Sequence, residues 1–206
     1  MPGKNLQKVY LPDTYYHIYN RGINKEKIFL DDNDFAVFLN LIKRYLGQEV
    51  TYNKNKVYHP NYHSDIELLA FCLMKNHFHL YVYQKSDEQA ITKFMRSLST
   101  AYSMYFNKKY KRVGPVFQQR YRAVRIINDA QLMHVSRYIH LNPDNYNDYE
   151  WSSLPYYLST KRADWISPRR ILDLFDQTTD YKKFVDDYKE YRDDLEDLKH
   201  YLADNI

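Results

Sequence analysis

Two apolar runs, 66–74 and 77–83, are separated only by Lys75-Asn76. A two-residue connection leaves no room for a crossover, so the runs must pair as an antiparallel hairpin. That hairpin constrains the rest of the chain, because its apolar faces need other elements to cover them. Before it, Tyr15-Tyr16-His17-Ile18-Tyr19 reads as a strand stopped by Asn20-Arg21-Gly22. Residues 31–33 can cap a helix over 34–46, with Phe35, Phe38, Leu39 and Ile42 on one face. After the hairpin, Asp87 can cap a helix to about residue 107. Its apolar positions Ile91, Phe94, Met95, Leu98, Ala101, Tyr102 and Tyr105 fall at core spacing. A fourth strand is expected over 121–127, then a helix capped by Asn128 or Asp129 that must stop near Pro143.

The order β-α-β-β-α-β followed by a helix is the ferredoxin-like pattern of an α+β fold. The first and third strands are then central, both helices cover one face of the antiparallel sheet, and the other face is expected to be open to a ligand. Residues 47–64 are polar and rich in Tyr, Asn and His, and read as a long loop or an irregular hairpin. A last helix over 179–202 carries Tyr181, Phe184, Tyr188, Tyr191, Leu195, Leu198 and Leu202 as an apolar stripe on an otherwise acidic surface. The expected division is a body over 1–150 and a helical extension over 151–206, packed on that body or on a partner.

Composition removes several function classes. The longest apolar stretch, Leu68 to Met74, falls far short of the ~20 residues that span a bilayer. No basic patch followed by an apolar run stands near Met1, so a reducing, cytoplasmic setting is expected. Cys72 is the only cysteine, which excludes an internal disulfide and a thiolate zinc site. With 4 glycines and no phosphate-cradling motif, nucleotide-driven chemistry is not expected.

Charge is distributed unevenly. Residues 1–140 hold 21 Lys/Arg against 11 Asp/Glu, whereas 141–206 hold 9 against 15. A basic body that meets a polyanion and an acidic tail that does not is the natural reading. Lys108, Lys109, Lys111, Arg112, Arg120, Arg122 and Arg125 form a one-sided basic stretch interleaved with Tyr110, Phe117 and Tyr121. Basic groups reach phosphates and rings stack bases, so this stretch is the expected nucleic-acid track, with Arg21 and Lys25 as secondary candidates.

Within the hairpin, alternation puts His77 and His79 on one face and Phe78, Leu80 and Val82 on the other. Two imidazoles so spaced can share one divalent ion. Alone the pair is weak, since two exposed strand histidines with no role would look the same. The helix after the fourth strand adds His134, Tyr138 and Asn142, four residues apart and therefore on one face. His59, His63 and Asp65 in the long loop are a poorer metal set, because nothing regular holds them.

These segments resemble a known group. Leu73-Met74-Lys75-Asn76-His77-Phe78-His79-Leu80 is similar to the signature of the HUH single-tyrosine transposases. Gly114-Pro115-Val116-Phe117-Gln118-Gln119-Arg120-Tyr121 and Arg137-Tyr138-Ile139-His140-Leu141-Asn142-Pro143 resemble further blocks of their REP-associated branch. Asn20-Arg21-Gly22 and Trp151-Ser152-Ser153 also match, so the resemblance covers about residues 14–158. Asp144-Asn145 departs from the basic or small residue common there, and neither the 47–65 loop nor the acidic tail belongs to the shared pattern.

The resemblance implies that His77 and His79 hold Mg²⁺ or Mn²⁺, that Asn142 completes the shell, and that Tyr138 is the nucleophile. It implies cleavage and rejoining of single-stranded or hairpin DNA at mobile-element or repeat ends, through a 5′-phosphotyrosine, by a nucleoid-associated monomer or homodimer. His134 or His140 would be placed for proton transfer, although a helix-surface histidine with no role is the favoured reading. Two other readings stay open: a hairpin-binding module with an unused site, and a metal phosphodiesterase in which water attacks.

Overall fold

The computed structural model describes residues 10–187. Its elements are β1 (Thr14–Arg21), α1 (Asp32–Leu46), β2 (Ile66–Met74), β3 (His77–Gln84), α2 (Ala90–Lys109), β4 (Arg122–Ile126), α3 (Asp129–His140), and the short α4 (Leu154–Tyr157), α5 (Arg169–Leu172) and α6 (Thr178–Asp186). The expected helix over 179–202 is described only through α6, and the stripe from Tyr188 onward lies outside the described residues.

The sheet runs β2-β3-β1-β4, antiparallel throughout, with β3 and β1 central. This is the expected ferredoxin-like order. A register shift between Leu68 and Ala70 lets β2 pair along the whole of β3.

On one face Tyr16, Ile18, Phe78, Leu80 and Val82 pack under α1 and α2. Phe38 meets Phe78 with ring centroids 5.0 Å apart, and Tyr102 stands edge-on to Phe38 at 4.9 Å. Helix α1 begins where Asp31 accepts from the Asp34 amide while Asp34 accepts from the Asp31 amide, a reciprocal cap. Helix α2 starts later than its expected cap. Asp87 instead accepts from the Gln89 amide at 2.9 Å and pairs with Lys93, which builds a turn ahead of Ala90.

The opposite face is not open, which corrects the expectation from sequence. Leu132, Val135 and Ile139 of α3 pack on Ala70, Cys72 and Tyr81, joined by Leu154, Tyr157, Ile171, Tyr181 and Val185. Periodicity shows that a helix has an apolar stripe but not which sheet face it covers. Residues 151–153 extend the edge of β2, with the Leu73 amide donating to the Trp151 carbonyl and the Ser153 amide to the Phe71 carbonyl, both at 2.9 Å. Among the described residues no helix is long and apolar enough to cross a membrane.

Candidate active site

The turn between β2 and β3 is clasped from outside. The Gly22 amide donates to the Asn76 carbonyl at 2.9 Å, and the Ile28 and Phe29 amides both donate to the Lys75 carbonyl at 2.8 and 3.0 Å. Gly22 permits this path, because a Cβ there would meet the Glu26 carbonyl oxygen at 2.1 Å. The 114–121 segment lies against the same corner: the Gln118 amide donates to the Arg21 carbonyl and the Ile23 amide to the Val116 carbonyl. Asn20 also reaches the Gln119 carbonyl at 3.0 Å. The separate sequence blocks thus converge on one end of the sheet.

At that end His77 and His79 lie on the face opposite α1 and α2, as alternation predicts, but beneath α3 rather than in the open. His79 is buried at 5% exposure and His77 half-buried. Asn142 lies just past the last helical residue of α3. Its Oδ1 sits 3.0 Å from His77 Nε2, and its Nδ2 sits 3.3 Å from His79 Nε2. Its amide also acts on the Tyr138 phenol, one helical turn earlier, and favours the ionised oxygen. Tyr138 stands edge-on to His79 with centroids 5.5 Å apart, and edge-on to His17 at 6.0 Å. One amide therefore acts on both imidazoles and the phenol.

Burial sets the electrostatics. It pushes the His79 pKa well below its ordinary value, with His17 and His77 adding to the effect, and lowers that of His77 against an opposing bond to Asn142. Both rings are thus neutral and carry a lone pair. Burial raises the Tyr138 phenol above its ordinary value, and the Asn142 amide works the other way.

The donor set fits a divalent ion. His77 Nδ1 lies 2.7 Å from Asn76 Oδ1 and its Nε2 3.0 Å from Asn142 Oδ1, so a neutral ring can donate to only one of these two acceptors. With the proton on Nδ1, the Nε2 lone pair faces Asn142 Oδ1; with it on Nε2, the Nδ1 lone pair faces Asn76 Oδ1. Two acceptors so close repel each other, and a cation beside both relieves the clash. Among the described residues no three His, Cys, Asp or Glu side chains group into a metal centre. A site of two imidazoles and an amide oxygen leaves several positions to water or phosphate, and such mixed sets take divalent first-row ions, Mn²⁺ among them.

The other candidates separate. Arg21 pairs opposite His77 and Arg122 opposite Tyr19, so both belong to the histidine face. Arg125 pairs opposite Tyr16 and is exposed on the α1/α2 side, and Arg120, Lys108 and Lys111 are exposed beyond the strands. Lys109 is a correction. Its ammonium bonds Asp31 at 2.7 Å and the buried Asp34 at 2.8 Å, so its charge is already paired at the surface. Arg112 likewise pairs with Glu26 at 3.2 Å. Those partners lie far away in sequence, where a local basic run gives no sign of them.

His140 is a second correction: it is wholly buried, with its nitrogens 2.6 Å from the Tyr181 hydroxyl and 2.6 Å from Ser153 Oγ, and is structural. His134 bonds Arg137 at 2.8 Å and its ring lies near Phe184, turned toward α6. Tyr121, of the basic stretch, sits on the other side of the sheet, where Tyr10 donates to it at 2.9 Å. The second tyrosine near the histidines is Tyr19, 6.0 Å from His79 between ring centroids. Sequence reasoning also passed over His17, whose Nε2 lies 2.9 Å from His79 Nδ1. The signal was there, since His17 and Tyr19 alternate onto the same face, but only the β1–β3 register sets them beside His79.

Solved structures similar to this chain include two described as transposases. One is a REP-associated tyrosine transposase bound to a REP hairpin, with 14% identity and a TM-score of 0.55 over 80% of this chain and 92% of that one. At that identity the likeness establishes the fold. The other, a Deinococcus radiodurans R1 protein assigned as a transposase, has 15% identity and a TM-score of 0.41 over 68% of this chain and 95% of that one, too slight to bear on the fold. No curated protein sequence matches. The profile of the family described as transposase, IS200 like, matches residues 11–142, from ahead of β1 through Asn142. The chain belongs to the IS200-like transposase family.

Proposed function

We propose that this transposase cleaves and rejoins single-stranded, hairpin-associated DNA through a covalent bond to Tyr138, as a member of the REP-associated branch. The observation that carries the reading is the Asn142 amide, shared by His77, His79 and the Tyr138 phenol. His77, His79 and Asn142 would hold Mg²⁺ or Mn²⁺, which when bound supplies polarisation of a scissile phosphate and offsets the charge developing on it.

The rest falls to the chain's own groups. The Tyr138 oxygen attacks phosphorus; the new Oη–P bond replaces the P–O3′ bond, giving a 5′-phosphotyrosine. The phenolic proton leaves to solvent and the departing 3′-oxygen takes one up, so charge balances. Attack by another 3′-hydroxyl reverses the step and reseals the strand without a nucleotide cofactor. Edge contact with His79 and His17 holds the phenol ring, which is half-buried at the sheet. Arg21 and Arg122, on the same face, are proposed to grip the flanking phosphates, with the exposed Lys108, Lys111, Arg120 and Arg125 guiding the approach of the hairpin. Residues 1–150 are proposed to carry the reaction, with 151–187 bracing α3.

The test is Tyr138→Phe, scored on a denaturing gel with end-labelled hairpin DNA and Mn²⁺. The variant is expected to bind DNA and yield neither adduct nor nick. Continued nicking would identify water as the attacking group, and an inert wild type would make the protein a binding module. Robust adduct from the variant would move the search to Tyr19.

A further inference from the structure

His77 and His79 are pinned in the same way. Each ring is held through Nδ1, and each directs Nε2 at the Asn142 side chain. For His77 the holding group is the Asn76 amide; for His79 it is His17 Nε2 at 2.9 Å. The His17 and His79 rings lie nearly parallel, 15° apart with centroids at 5.0 Å, and both are buried, at 1% and 5% exposure.

The proton positions along this chain follow from one end. Asn142 Nδ2 can only donate, so His79 Nε2, 3.3 Å away, holds a lone pair. The His79 proton is then on Nδ1 and is donated to His17 Nε2. His17 must in turn carry its own proton on Nδ1, and that atom has no hydrogen-bond partner among the described residues. A buried, unpaired polar atom is a burden on stability, and an apolar side chain at position 17 would avoid it. Its retention is intelligible if the histidine does something for its neighbour.

We infer that His17 is a positioning residue, which accepts the Nδ1–H of His79 and thereby fixes that ring with its Nε2 lone pair aimed at the point shared with Asn142 and His77. This rests on the proposed metal-binding reading of those residues. Outer-shell partners of ligating histidines fix tautomer and orientation, and their loss typically weakens metal binding about 10–100-fold.

The experiment is a Mn²⁺ titration of the full chain, followed by EPR, on wild type, His77→Ala, His17→Phe and His17→Gln, with melting curves of the metal-free proteins. Histidine ¹⁵N shifts of metal-free wild type complete it. Expected are loss of the site in His77→Ala and about 10–100-fold weaker binding in His17→Phe at an undiminished Tm. His17→Gln, whose amide oxygen can accept the same N–H, should recover most of the affinity. The shifts should give His79 as the Nδ1–H tautomer. Wild-type affinity in His17→Phe beside a dead His77→Ala would overturn the role of His17 and leave the metal reading standing. A His77→Ala titration identical to wild type would overturn the metal reading and this inference with it. An Nε2–H tautomer at His79 would overturn the inference by itself, whichever variants fold.

Discussion

Asn142 Oδ1 sits 3.0 Å from His77 Nε2, and its Nδ2 3.3 Å from His79 Nε2. The relationship puts a side chain from beyond the end of α3 in charge of two strand histidines. Replacing Asn142 with Leu should remove an oxygen donor and weaken Mn²⁺ binding by at least an order of magnitude, about 1.4 kcal/mol. Asn142→Asp should strengthen it, because a carboxylate adds charge at the same reach. Isothermal titration checks both, and equal affinities in the three proteins would remove Asn142 from the shell.

Arg21 and Arg122 share the histidine face, so they should reach phosphates close to the reacting one. Neutralising both to Gln should lower the slope of log K against log salt for single-stranded DNA by about 1.4, or ~0.7 for each phosphate left without its arginine. Lys109→Gln should leave that slope unchanged, since its ammonium already bonds Asp31 and Asp34. Fluorescence anisotropy across a salt series measures this. An unaltered slope in the Arg pair would shift the track toward Lys108, Lys111 and Arg120.

What could be read from sequence was what local pattern encodes. The Lys75-Asn76 turn gave the hairpin, and alternation gave the common face of His77 and His79. The four-residue step from Tyr138 to Asn142 gave their proximity, although Asn142 reaches the site from the turn after α3. Groups that became visible only in three dimensions depend on pairing between distant segments. His17 matters because β1 lies beside β3, 62 residues away. The pairing of Lys109 is invisible locally because Asp31 and Asp34 sit 75 to 78 residues before it. The cover over the second sheet face escaped notice because an amphipathic helix carries no label for the face it will bury.

Asp34 is fully buried and accepts from the Leu30 amide and from Tyr105, Tyr110 and Lys109, all at 2.8–2.9 Å. It ties the start of α1 to the end of α2. Asp34→Ala should cost roughly 3 kcal/mol, because it strips a buried carboxylate from several donors and removes half of the reciprocal cap. Urea denaturation gives the value. The site lies on the other sheet face, so the variant should keep its Mn²⁺ affinity while folded, and a loss of affinity without a loss of stability would contradict this division.

Acid should unfold the metal-free protein earlier than its carboxylates alone would require. Burial lowers the pKa of His17 to about 3 and that of His140 to about 3. In the unfolded chain both return to about 6.5, so below that pH the unfolded state binds more protons than the folded one. Their contribution is intact above pH ~6.5 and declines as the pH falls toward the folded value, by about 1.4 kcal/mol per unit for each histidine. By pH 5 the loss is about 2 kcal/mol per residue, still above the range where Asp and Glu titrate. Urea melts in EDTA from pH 7.5 to 5 should record that decline. His140→Gln, able to bond Ser153 and Tyr181 without a titrating ring, should be less stable at pH 7.5 yet show a shallower pH dependence. A wild-type stability flat across this window would mean that His17 and His140 are solvated and protonate inside the fold, and the packing drawn around α3 would be wrong.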